Sequence, residues 1–326
     1  MAINTFSGGN PINSLQAAGK NAIINGGMDI WQRGTSSSTA TGGAYSTVDR
    51  FLINLGGTTT ASQDTDVPSG VPVQYSLKFL TGASSSYGGW YYALESAMVR
   101  PLRGQTVTVS FYVKTAGSFS GNLNLNIDYS NSTDALASQT TNVTTLVFAG
   151  SSVTSWTRKT VTFTVPSDAL GLRLYFFNSA VQASGVSSWT TGVQLELGST
   201  ATTFSRAGGT IQGELAACQR YYWRSTAGAA YQSFAAGQAG SSTLGFMQCA
   251  NPVPMRAAVT SIDYSTLALS LSAFTVQAVT ALTIDQAGSV SSLLRATVAS
   301  GLTAGNATVL IANNSTSGYL GFSAEL

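Results

Sequence analysis

The sequence predicts a mostly β protein: an antiparallel β-sandwich of the jelly-roll kind, then a short helix, then a second small β domain. Three observations carry this. Short runs alternate apolar and polar residues with a period of two, and Gly/Ser/Asn turns separate them. A single segment, 210–222, changes to helical spacing. Charged residues make up only 9% of the chain, yet it keeps 5 Trp, 13 Tyr and 14 Phe, a composition that builds cores and is unlike that of a disordered chain. A length of 326 residues is enough for two domains, each with its own core.

Taken in order, residues 1–20 (MAINTFSGGNPINSLQAAGK) contain Gly-Gly and Asn-Pro with little periodicity, and read as an extended arm. The sandwich is expected over 21–205. Its candidate strands are 22–32, 49–55, 73–80, 90–97, 106–115, 121–129, 142–149, 157–165, 171–178 and 190–197. Alternation is clearest over 106–114, where Val107, Val109, Phe111 and Val113 share one face. Over 122–129 the polar face is an asparagine ladder of Asn122, Asn124 and Asn126. The stretch 158–165 repeats the pattern, and short strands in this number fit an antiparallel sandwich. A linker, 206–224, holds the helix: Ile211, Leu215, Cys218 and Tyr222 fall at helical spacing, with Thr210 as N-cap. Tyr221, Tyr222 and Trp223 at its end are expected to pack the two domains together. The C-terminal β domain is 225–326, with apolar runs at 265–279 and 307–312. Between Tyr264 and Glu325 the only charged side chains are Asp285 and Arg295. Burial against identical copies would explain so plain a surface, and a homotrimer is the expected assembly.

Charge and composition exclude several functions. The 15 Lys and Arg and 13 Asp and Glu give a net charge of +2, and the only adjacent basic pair is Arg158-Lys159. A phosphate backbone needs clustered cations, so nucleic acid is not an expected partner. With no histidine, Ser-His-Asp and Cys-His machinery and histidine metal sites are absent. Cys218 and Cys249 are too few for a disulfide framework or a four-cysteine zinc site, and read as small buried hydrophobes. No window of about 20 residues stays apolar enough to insert in a membrane. The opening residues show neither the charged nor the apolar part of a secretion signal, so synthesis in a bacterial host cytoplasm is expected. The Ser/Thr/Asn/Gln/Gly-rich surface suits life outside the cell, and a phage particle released by lysis reconciles the two.

Several blocks, in order, then resemble a family. The stretch 21–35 (NAIINGGMDIWQRGT) is similar to the opening block of many phage tail-fibre and minor tail proteins. Thr47-Val48-Asp49-Arg50-Phe51 resembles their Tyr-Thr-Ala-Asp-Arg-Trp segment, with Val48 and Phe51 as departures. The stretch 102–111 (LRGQTVTVSF) resembles their central strand, and 192–204 (GVQLELGSTATTF) their closing block, with Thr203 where proline is common. Glu214 to Tyr222 echoes their helix, and Pro254-Met255-Arg256-Ala257-Ala258 the module that follows. The resemblance covers about 20–260. It implies a virion component of the phage tail whose first module is a carbohydrate-binding-like jelly roll. The arm 1–20 would then attach to other tail or baseplate proteins.

Glycan sites on sandwiches use exposed rings, which stack on the C–H face of a sugar, flanked by amides and hydroxyls. The candidates are Tyr87, Trp90 and Tyr91, beside Gly88 and Gly89, and the loop-like Trp189. The alternative is that Trp90 and Tyr92 share a core face while Tyr91 points to solvent or a neighbouring subunit. Trp156, ahead of a strand, reads as a lid on the sandwich. Trp31, Arg33, Asp49 and Arg50 read as a sheet corner fixed by charge-assisted hydrogen bonds. The resemblance also implies a structural calcium ion near the sandwich edge, with Asp29, Asp49 and Glu196 as ligands. No other cofactor is expected.

No carboxylate pair has diagnostic glycosidase spacing and no β-helix repeat is visible, so the expected function is adhesion to bacterial surface polysaccharide rather than catalysis. The alternatives are an architectural virion protein without a ligand (head fibre, decoration protein or tail-tip spacer) and a polysaccharide depolymerase.

Overall fold

The computed structural model describes residues 20–38, 42–83, 88–135, 141–271 and 275–326. The chain divides into two compact units, 1–217 with Leu326, and 218–325.

The first unit is a two-sheet antiparallel sandwich. Its strands are β1 (Ser36–Ser37), β2 (Phe51–Leu55), β3 (Thr60–Asp64), β4 (Ser76–Leu80), β5 (Gly88–Leu94), β6 (Thr106–Thr115), β7 (Asn122–Ser130), β8 (Thr141–Ala149), β9 (Thr157–Thr164), β10 (Gly171–Asn178) and β11 (Ser187–Leu197). One sheet runs β1-β3-β4-β11-β6-β9 and the other β2-β5-β10-β7-β8. Period-two alternation decides what lies between them. Val107, Val109, Phe111 and Val113 of β6 face Leu123, Leu125 and Ile127 of β7 and Leu172, Leu174 and Phe176 of β10 in one core. A short helix, α1 (Ser96–Val99), follows β5.

The expected strand 22–32 does not form; residues 24–27 are a turn. Asn25 and Met28 have positive φ, which a strand excludes. The Asn25 side chain accepts hydrogen bonds from the Asp29 and Ile30 amides at 3.0 Å each and donates to the Ile30 and Asp49 carbonyls at 2.9 Å each. A local amide thus takes the backbone groups that a ladder would use. Gly26 donates no side chain here for good reason: a Cβ would run into the Val193 carbonyl of β11, whose amide bonds the Gly26 carbonyl at 2.8 Å. The Asp49-Arg50 corner is buried and polar. Asp49 accepts from the Gln32 amide at 3.1 Å and faces Arg33 at 3.9 Å. Arg50 donates to the Ala93 carbonyl at 3.0 Å and lies over the Tyr92 ring.

The helix α2 (Ile211–Gln219) forms where helical spacing placed it, and the Thr210 hydroxyl caps it by accepting the Gly213 amide at 3.1 Å. Its Glu214 carboxylate, almost fully buried, accepts from the Gly208 amide at 2.6 Å and from the Asn25 amide. Burial pushes this carboxyl above its ordinary value despite those bonds.

In the second unit, β12 (Tyr222–Thr226), β20 (Tyr319–Ser323) and β15 (Ser261–Ser265) make a three-stranded sheet in the order β12-β20-β15. The strands β13 (Ser233–Ala239), β14 (Leu244–Ala250), β18 (Ser291–Val298), β17 (Val276–Gln286), β16 (Leu267–Ser270) and β19 (Ala307–Ala312) close into a barrel in that order. The apolar run 265–279 holds the barrel strand β16 and the start of β17, while its first residue, Ser265, ends β15. Trp223 belongs to this unit's own core, packing edge-on to Phe322 with ring centroids 5.2 Å apart. Its indole N–H donates to Asn251 at 3.1 Å. Both cysteines are buried and neither is in a disulfide, and burial pushes the Cys249 thiol up to about 11.

Candidate functional site

The sandwich presents two outer faces, and each carries aromatic residues. On the five-stranded sheet the register aligns three rows. The central row is Leu52, Tyr91, Tyr175, Asn126 and Thr145. Beside it run Asn54, Gly89, Phe177, Asn124 and Val147 on one flank, and Ala93, Arg173, Asp128 and Asn142 on the other. All of these residues point away from the core, because Trp90, Tyr92, Leu174, Phe176 and Leu125 between them point into it.

The rings form a stack. Tyr91 and Tyr175 lie 4.0 Å apart at 8°, and Phe177 continues the stack 4.4 Å from Tyr175 at 20°. Next to them stands the asparagine ladder of β7. Asn126 accepts from the Thr145 hydroxyl at 3.2 Å, and Asp128 takes Arg173 through Nε at 3.2 Å and Nη2 at 2.7 Å. Asn142 Nδ2 donates to the other Asp128 oxygen at 3.1 Å. The Arg173 guanidinium lies 5.3 Å from the centre of the Tyr91 ring. Asn124, between Phe177 and Val147, makes no side-chain hydrogen bond to the protein among the described residues. Burial pushes the Tyr175 phenol up to about 12. This is a fixed strip of rings edged by amides: Tyr91 and Phe177 cover the two faces of Tyr175, so C–H/π contact with a pyranose falls to the end rings and the ring edges, while the amide row offers donors and acceptors to its hydroxyls.

The six-stranded face is built differently. Its central row is Ser62, Lys78, Trp189 and Lys114, with Trp156 beyond, just ahead of β9. The Trp189 indole donates to Asp64 at 3.2 Å, and Lys78 meets the same carboxylate at 3.2 Å. Trp156 donates to Asp66 at 2.8 Å, and Lys114 pairs with Asp66. The Lys78 and Lys114 ammoniums lie over the Trp189 ring at 5.3 and 4.7 Å, one from each flanking strand. Burial pushes the Asp64 carboxyl up, but the Asp66 amide, Trp189 and Lys78 outweigh it and hold it below its ordinary value. Asp66 is likewise held low, its desolvation outweighed by Lys114 and Trp156.

The expected site residues therefore separate. Trp90 is fully buried, edge-on to Phe51 and stacked against Phe176, so it is a core residue and not a glycan platform. Tyr91 is on the five-stranded outer face. Trp189 is on the opposite outer face, where lysines occupy its ring and a carboxylate its N–H, which removes it from an open stacking role. Tyr87 lies outside the described residues. Tyr175 and Phe177 were missed, although alternation over Leu172-Arg173-Leu174-Tyr175-Phe176-Phe177 places them on the outer face beside Tyr91.

The expected calcium ligands do not make an oxygen cage either. Asp29 accepts Arg206 at 2.6 Å and the Gln74 amide at 2.7 Å. Asp49 takes Gln32 and Arg33, and Glu196 takes Gln194 Nε2 at 2.6 Å, the Thr202 amide at 2.9 Å and the Thr202 hydroxyl at 2.6 Å. N–H and O–H donors fill each carboxylate, the electrostatic opposite of a cation site. Among the described residues no group of three or more His, Cys, Asp or Glu is placed to hold a metal ion.

A cavity of about 370 Å³ also opens at one end of the sandwich, lined mainly by Ile24, Met98, Leu102, Leu195 and Leu197. Its polar margin is already engaged: Asn21 bonds Val193 and Ser205, and Glu196 bonds Gln194 and Thr202. It therefore offers little to a hydroxylated ligand.

Comparison with known proteins gives a match of residues 99–184 to a carbohydrate binding domain family. No curated protein matches the chain. Among solved structures, the chain is similar to the enzymatically active domain of tailspike protein 4 from bacteriophage CBA120, at 13% identity and a TM-score of 0.38. That alignment covers 55% of this chain and only 21% of the tailspike. It is also similar to a CBM4 module (16% identity, TM-score 0.32, 54% of this chain and all of that one). A third similarity is to the CBM22-1 xylan-binding domain of Paenibacillus barcinonensis (14% identity, TM-score 0.31, 51% and 94% covered).

Proposed function

We propose that this protein is a phage fibre component that attaches the particle to bacterial surface polysaccharide, with the outer face of the five-stranded sheet as its contact. The observation that carries the reading is the ring stack Tyr91–Tyr175–Phe177 beside the Asn124/Asn126 ladder. Support comes from the carbohydrate-binding match, whose span holds β7 and β10 and hence most of that face. The phage assignment rests on the block resemblance over about 20–260.

Recognition on such a face is reversible and shallow, so each contact is weak. Several copies on one particle, as a homotrimer or as repeated fibres fixed through the arm 1–20, convert weak contacts to firm adsorption through effective concentration. The proposed role is binding without hydrolysis, and the Asp128 carboxylate on this face is held by Arg173 and Asn142.

The test is to add fluorescently labelled full-length protein to candidate host cells with and without their surface polysaccharide, and to assay the supernatant for reducing sugar. Binding that needs the polysaccharide, with no sugar released, is expected. Released reducing ends would favour a depolymerase. No binding to a host that the particle adsorbs to would sink the adhesin and favour an architectural role.

A further inference from the structure

The second unit carries its own candidate site, on the outside of the barrel. An open groove of about 450 Å³ is lined by Gly237, Gln238, Phe246, Gln248, Asp285 and Leu293. The register explains why these meet. Gln238 pairs with Phe246 and Phe246 with Arg295; one step along, Gln248 pairs with Leu293. The residues between them, Met247 and Leu294, fill the barrel interior, so this set faces outward. Alternation along β17, with Leu282 and Ile284 turned inward and Thr283 opposite Arg295, brings Asp285 to the same face, where it pairs with Arg295 at 2.6 Å.

Two features make this more than a patch of surface. The Phe246 ring rests against Gly240, where a Cβ would come within 2.5 Å of it, and the Arg295 guanidinium stands 5.8 Å from its centre. The ring is thus held with part of its surface open, flanked by the exposed amides of Gln238 and Gln248. Secondly, Asp285 and Arg295 are the only charged side chains between Tyr264 and Glu325, and they neutralise one another at the groove's edge. The groove mixes an apolar floor of Phe246 and Leu293 with polar Gln238, Gln248 and Asp285, and carries no net charge. That disfavours a polyanion and fits a neutral saccharide, whose C–H face packs on the ring and whose hydroxyls bond the amides and the carboxylate.

We infer that this groove, on the second unit, is a second saccharide-binding site that takes a neutral sugar unit. It goes beyond the proposed sandwich contact and does not depend on it. A chain with two such sites would grip a repeating polysaccharide at two points.

The test uses the full chain labelled with fluorophenylalanine, with the Phe246 resonance assigned by its loss in Phe246→Leu and the Phe177 resonance by its loss in Phe177→Leu. The probes are the methyl glycosides of glucose, galactose, mannose and N-acetylglucosamine at millimolar concentration. The expected result is a saturable shift of the Phe246 signal with at least one probe, weakened about fivefold or more in Gln248→Ala. A Phe246 signal that stays fixed with all four probes overturns the inference. So does one that moves only with protein concentration, which would make the face a contact between copies. The Phe177 signal reports the sandwich face independently, so the two readings fail separately.

Discussion

The two outer faces of the sandwich use similar residues to opposite ends. On the six-stranded side, Trp189 and Trp156 spend their N–H groups on Asp64 and Asp66, while Lys78 and Lys114 cover the Trp189 ring. A ligand there would have to displace partners that are already well matched. On the five-stranded side the rings stack on one another and stand beside a row of amides, with the ion pair Arg173–Asp128 confined to one flank. Aromatic content therefore does not identify a sugar-binding face. What distinguishes the faces is what meets the rings: lysines and carboxylates on the six-stranded side, other rings and a row of amides on the five-stranded side.

Substitutions sharpen this contrast, beginning with the ring that belongs to neither face. Trp90→Ala empties a fully buried position and should cost about 3–5 kcal/mol, read as a lowered urea midpoint. Were the loss under about 1 kcal/mol, the assignment of Trp90 to the core would be wrong. Tyr175→Ala removes the middle ring of the stack and should weaken polysaccharide binding about tenfold or more, while the chain still unfolds cooperatively. Trp189→Ala should do the reverse, losing about 1–2 kcal/mol of stability from the cation–π and hydrogen-bond contacts with little change in binding.

The smallest expected effect is one of pH. Asp64 and Asp66 are held below their ordinary values in the fold, so their contribution is present above the unfolded carboxyl value and is lost as pH falls through the folded one. Stability should therefore drop as pH falls below about 4, and the drop should shrink in an Asp64→Asn/Asp66→Asn double variant. An unchanged acid transition in that variant would remove these carboxylates from the account.

Much of this was legible in the sequence, and the exceptions have physical causes. The strands Thr106–Thr115 and Gly171–Asn178 follow from alternation alone, as does the asparagine ladder. The same period places Trp90 and Tyr91 on opposite sides of one strand, so no single site holds both. It also assigns Tyr175 and Phe177 to the outer face once β10 is placed beside β5. What alternation does not carry is partner choice. Nothing local to Trp189 reveals that Lys78 and Lys114 flank it, because those contacts are set by the order β4-β11-β6. The turn at 24–27 escaped because side-chain hydrogen bonds from Asn25, not apolar spacing, determine it. Thr60–Asp64 escaped because only Ala61 in it is buried. Barrel closure in the second unit depends on registers between distant strands, which composition does not encode.

The most direct test of the central claim is calorimetric titration of one host surface polysaccharide into Tyr175→Ala and Trp189→Ala, side by side with the unaltered chain. The account predicts that binding is lost in the first and kept in the second. Binding kept in Tyr175→Ala and lost in Trp189→Ala would move the site to the six-stranded face and contradict it.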